Sequence, residues 1–69
     1  MIEVFRTNVE EVVQARRMVD LLLAHFPGNK INIDLHDCDR VLRIEGNRFA
    51  ADEIMGFVKA QGFRCDLLE

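Results

Sequence analysis

The residues with the widest chemical range in this 69-residue chain gather in one stretch, Asp34-Leu35-His36-Asp37-Cys38-Asp39. Imidazole, thiolate and carboxylate are all competent ligands for zinc or copper, so His36 and Cys38 form the candidate metal pair. Two ligands from one turn leave tetrahedral zinc incomplete, and a third would have to come from Asp34, Asp39 or a second subunit. The simpler reading is a solvated turn in which the aspartates hydrogen-bond their own backbone, and it is the one the sequence favours. The other cysteine, Cys65, shares parity with Phe63 and Leu67, which makes it a small core residue and leaves Cys38 as the exposed thiol.

Catalysis has less to build on. His25 ends an apolar-periodic segment, where a cation suits a helix dipole, and His36 adjoins a turn; neither has an evident nucleophile beside it. The chain has no GxSxG and no glycine-rich phosphate loop. A domain of this length hardly encloses a typical pocket of roughly 300 Å³ without dimerising. No enzyme and no cofactor are expected.

The elements that position these residues follow from periodicity. Ile2 and Val4 alternate with Glu3 and Phe5 in a first strand. Asn8 and Glu11 fit a capping box, and Val12, Ala15, Val19, Leu22 and Phe26 recur at helical steps, predicting a helix over 8–25 stopped by Pro27-Gly28-Asn29. Ile31, Ile33 and Leu35 alternate with polar residues, as do Leu42 and Ile44, giving a hairpin through the Asp-rich turn. Ala51, Ile54, Met55 and Val58 predict a second helix over 51–61, with Phe49 placed for a staple and Gly62 as the residue beyond its C-cap. Phe63, Cys65 and Leu67 close with a last strand.

The order β-α-β-β-α-β, with one-sided helices, predicts an α+β fold: a single ferredoxin-like sandwich over 1–69. It has a four-stranded antiparallel sheet in the order 4-1-3-2 and both helices on one face. Its expected core is Val4, Val19, Leu22, Ile33, Ile44, Ile54 and Val58. The open face is expected to carry Glu3, Phe5, Val41, Arg43, Glu45 and Leu68, of which Phe5, Val41, Arg43 and Leu68 are the candidate interaction surface.

Composition limits the partners. The chain has 9 Lys plus Arg against 12 Asp plus Glu, a net charge of −3, which is not the cationic footprint of a phosphate-backbone binder. One aromatic among two acids makes no base-stacking platform on the open face, so no nucleic acid is expected. No apolar run approaches the roughly 18 residues a membrane span needs. The first residues, Met1-Ile2-Glu3-Val4-Phe5-Arg6, lack a basic n-region and an apolar h-region, and the expectation is a reduced cytoplasmic setting without membrane contact.

Several short motifs carry a resemblance. Phe26-Pro27-Gly28 precedes the Ile31–Leu35 strand; Leu42-Arg43-Ile44-Glu45-Gly46 follows; Asp52-Glu53-Ile54, Val58 and Gln61-Gly62-Phe63 with Cys65 close the chain. Together they resemble the heavy-metal-associated domain family of copper chaperones and metal-ATPase modules, in which LPGV, VxVxG and EEI…AGY recur in this order. The resemblance covers nearly the whole chain and implies the ferredoxin-like fold. That family holds its metal on a CxxC in the loop after the first strand. Here the loop reads Phe5-Arg6-Thr7-Asn8-Val9-Glu10-Glu11, with no Cys, Met or His, so the resemblance implies a relative without the metal motif. Acylphosphatases share the topology, and Arg40 and Asn47 could suggest their chemistry, but the same loop is no anion-cradling glycine loop. The expected role is a non-enzymatic interaction or regulatory module docking a protein or a second copy through its open face or an edge strand. The alternatives are metal binding at His36 and Cys38, or a small-ligand-binding dimer of the ACT type.

Overall fold

The computed structural model describes residues 1–68. Six elements follow one another: β1 (Ile2–Thr7), α1 (Val12–His25), β2 (Lys30–Asp34), β3 (Val41–Glu45), α2 (Ala51–Ala60) and β4 (Cys65–Leu67). All strand pairs are antiparallel, in the order β2-β3-β1-β4, which from the opposite edge reads 4-1-3-2.

Both helices lie on the same face of the sheet. Met18 and Leu22 of α1 and Ile54 and Val58 of α2 form one buried cluster with Phe5, Leu42, Ile44 and Cys65 from the strands. At one end of this layer the Phe57 ring packs on His25, with centroids 4.5 Å apart, and meets Phe26 edge-on at 5.9 Å, tying the two helices together.

The helix ends differ in how they are made. α1 starts four residues later than the spacing at Asn8 predicts, at a capping box of Glu11 and Gln14, and the Glu11 N–H donates to Gln14 Oε1 at 3.3 Å. Asn8 is otherwise engaged: its Oδ1 accepts the Arg64 N–H at 2.7 Å, across 56 residues of sequence. α2 keeps Asp52 and Glu53 in its first turn, at the positive end of its dipole. It ends at Ala60 with Gln61 as its C-cap, and Gly62 just past the cap has a φ of +95° that favours glycine.

The first strand corrects the expected parity. Phe5 is fully buried and pairs with Leu42, and Thr7 pairs with Cys65, so Glu3, Phe5 and Thr7 face the helices. Ile2, Val4 and Arg6 face away. Val4 therefore leaves the expected core, and Phe5 leaves the expected interaction surface; Glu3 likewise leaves the open face. The cause is pairing. Both parities of β1 carry apolar groups, and the choice falls to the face that sets Phe5 beside Leu42 in the buried cluster that also holds Cys65, where one large ring fills more of the space between sheet and helices than a valine does. Leu22, Ile44, Ile54 and Val58 are buried as expected, whereas Val19 and Ile33 are only half-buried.

Where β2 begins, Asn29 is buried and its Nδ2 donates to the Phe26 carbonyl at 2.9 Å. Its Oδ1 is buried with no hydrogen-bond partner and fills the space that a Cβ on Gly46 would occupy. The Gly46 N–H in turn donates to the Met1 carbonyl at 2.9 Å.

Candidate functional site

The loops after β1 and after β2 meet at one end of the sheet, beside the start of β4. The Thr7 N–H donates to the Asp39 carbonyl at 3.0 Å, and the Thr7 hydroxyl donates to the Arg40 carbonyl at 2.6 Å while accepting the Val9 N–H at 3.3 Å. Thr7 and Asn8 thus use their polar groups to join three loops, and Val9 is fully buried beneath them.

The Asp-rich turn is held by its own acids. Asp34 Oδ1 accepts the His36 N–H at 2.9 Å, and Asp37 Oδ1 accepts the Asp39 N–H at 2.8 Å. Arg40 has a φ of +47°, and its guanidinium donates to the Leu35 carbonyl at 2.8 Å, closing the turn. Arg6 Nε lies 3.3 Å from Asp39 Oδ1, an exposed pair that contributes little to stability.

Among the described residues, one group of three ligand-type side chains comes together: Asp37, Cys38 and Asp39, with ligand atoms within 4.8 Å of one another. His36 and Asp34 stand outside this group. Two of the three carboxyl and thiol groups already have work, Asp37 with backbone and Asp39 with Arg6. Arg40 and Asn47 precede and follow β3, so the strand separates them, and His25 is engaged with the Leu21 carbonyl at 3.1 Å.

The two thiols sit in opposite surroundings. Cys38 is exposed. Cys65 is buried, and burial, with Asp66 adding and Lys59 opposing, pushes its thiol up to about 11.

On the open face, Val4 stands across from Arg43 in the β1–β3 register, and the Leu68 N–H donates to the Val4 carbonyl at 2.9 Å. Val41, Arg43 and Leu68 lie on this face as expected, with Val4 and Ile2 in the place given to Phe5 and Glu3. Val4, Val41 and Leu68 are half-buried and Ile2 is 51% exposed. Arg43 pairs loosely with Glu45 at 3.9 Å.

A third surface was not anticipated. An open groove of about 700 Å³ runs between α1 and the edge strand β2, with Val12, Val19, Ile31, Ile33 and Leu35 as its apolar lining. Val12 is 61% exposed and its neighbour Val13 is 76% exposed. The sequence signal was the adjacent pair Val12-Val13, which no single helical stripe can bury on both sides. No helix among the described residues is long and apolar enough to cross a membrane. Comparison with family models, with curated proteins and with solved structures finds no match to this chain.

Proposed function

We propose that this chain is a small non-enzymatic interaction or regulatory module, a ferredoxin-like domain of the heavy-metal-associated kind acting without a thiolate pair. The element order and the helices sharing one sheet face support the ferredoxin-like reading. The structural use of Thr7 and Asn8, in the loop where that family carries its CxxC, supports a role outside metal transfer. The observation that carries the reading is the open face, where half-buried Val4, Val41 and Leu68 are interleaved with Arg43, Glu45, Arg6 and Asp66, a mixed apolar and charged surface.

Affinity capture from native extract with the wild type and with Val4→Asp tests it. The expected outcome is a partner retained by the wild type and lost by the variant at unchanged helical content. Identical captures by both would overturn it. Copper titration is expected to find no tight Cu(I) site in the first loop, and tight binding abolished by Thr7→Ala or Asn8→Ala would restore the metal role.

The group formed by Asp37, Cys38 and Asp39 favours a second reading, a zinc site on the β2–β3 turn. Stoichiometric zinc would then protect Cys38 from a thiol probe and release a proton, because the ligand is the thiolate. On the leading reading Cys38 labels at the same rate with and without zinc.

A further inference from the structure

The edge strand β2 reads Lys30-Ile31-Asn32-Ile33-Asp34, and its charges are antisymmetric about Asn32. Lys30, Asn32 and Asp34 share the open face, and Ile31 and Ile33 share the helix face. If a second copy adds antiparallel along this edge with the two-fold axis at Asn32, Lys30 of each copy stands opposite Asp34 of the other. Ile31 then stands opposite Ile33. Directly opposed cross-strand pairs are the unit of sheet stabilisation, and opposite charges or β-branched side chains at those positions are favourable.

The helix above the edge repeats the pattern. Arg16 and Asp20, one turn apart on α1, both line the groove. The same two-fold sets the two copies of α1 antiparallel across the groove, so that Arg16 of one copy lies towards Asp20 of the other. Among the described residues none of Lys30, Asp34, Arg16 and Asp20 takes part in an ion pair; the carboxylate of Glu45, across from Lys30, goes to Arg43. The apolar floor is unfinished in one copy: Val19, Ile31 and Ile33 are half-buried, and Val12 is largely exposed.

We infer that the β2–α1 edge is a self-association surface, pairing two copies of this chain into one eight-stranded sheet with the groove closed between the two first helices. Charges that merely guard an edge need only repel, as a lysine facing its own copy does. Here each sign meets its opposite under a two-fold operation, twice on the strands and twice on the helices, which is the self-complementarity an isologous interface requires. The inference deepens the interaction-module reading by naming a partner on a surface other than the open face.

Charge reversal tests it in the full chain. Sedimentation equilibrium of the wild type is expected to show a monomer–dimer equilibrium that weakens with salt. Lys30→Asp alone and Asp34→Lys alone each turn both strand pairs into like-charge pairs and are expected to weaken self-association by roughly tenfold or more. Mixed in equal amounts, the two variants offer an all-acidic and an all-basic edge, and a heterodimer at least as tight as the wild-type dimer is expected. Because Asp34→Lys also removes the contact to the His36 N–H, Arg16→Asp mixed with Asp20→Arg gives a second pair that leaves the turn intact. A wild type that stays monomeric at millimolar concentration overturns the inference, as does a dimer indifferent to these variants or a mixture that stays monomeric. A wild-type dimer abolished by Val4→Asp but not by Lys30→Asp would move the contact to the open face. A monomer that still captures a partner through Val4 leaves the interaction-module reading standing, so the two fail separately.

Discussion

The two flanks of the molecule repeat one plan, an edge strand under a helix, with different results. On the β4 side the strand has three residues; Ile54 and Val58 of α2 and Cys65 below them are buried, and Leu67 at the strand's end is 42% exposed. On the β2 side the strand has five residues, yet Val19, Ile31 and Ile33 stay half-buried beneath the longer α1, and the groove beside them is open. α1 buries Ala15, Met18 and Leu22 towards the centre of the sheet, so what differs between the flanks is how well the margin at the edge strand is covered. A three-residue edge leaves little for another chain to add to, whereas a longer edge with an apolar margin keeps both backbone groups and side chains exposed to a partner.

Substitution separates the flanks most strongly in the core. Ile54→Ala on the closed side and Ile44→Ala at the centre should each cost about 2–5 kcal/mol, whereas Ile33→Ala on the open side should cost about 1 kcal/mol, because neighbours and solvent can fill the space it leaves. Urea melts of the three variants at low protein concentration check this, and equal losses would mean that the β2 flank is as closed as the other.

A smaller effect comes from pH. The Cys65 thiol ionises near 11 in the folded chain and in the ordinary thiol range when unfolded, so the unfolded state loses its proton first as pH rises. Stability from this group is fully present below the ordinary thiol range and is lost progressively as pH climbs towards about 11. The chain contains no tyrosine to titrate alongside it. Cys65→Ala should lower stability at neutral pH and flatten that alkaline slope; an unchanged slope would assign it to other groups.

The same thiol gives a kinetic contrast. Under native conditions Cys38 should label freely with a thiol probe, and Cys65 only through unfolding, since burial both removes the thiolate and blocks access. Equal rates would mean that the β4 flank opens readily. The smallest effect belongs to the open flank's rim: Val12→Ser should change the stability of the monomer by no more than about 0.5 kcal/mol.

The parts that the sequence made legible are those where local pattern and tertiary packing agree. Ile31 and Ile33 alternate with polar residues and form β2, and Ile54 and Val58 mark the buried face of α2. Three features were not legible. The parity of β1 depended on Leu42 and Cys65, which are remote in sequence, because Val4 and Phe5 make equally good local candidates. The start of α1 depended on Arg64, whose N–H takes the Asn8 side chain that would otherwise have capped a helix. The candidate site was legible only as a turn. The Asp-rich segment is held by its own carboxylates, and His36 does not join the group of Asp37, Cys38 and Asp39, since alternation along six residues says nothing of how a turn folds its side chains.

Asn29 and Gly46 bear on how this chain can change over time. The Asn29 side-chain oxygen Oδ1 occupies the place where a Cβ on residue 46 would sit, so for substitution the two positions behave as one. Any side chain at 46 has to be preceded by a smaller one at 29, and a smaller one at 29 alone gives up the bond to the Phe26 carbonyl. The route between this pair and another passes through a weakened intermediate from either direction. Related sequences should therefore keep both residues or replace both, with few that change only one.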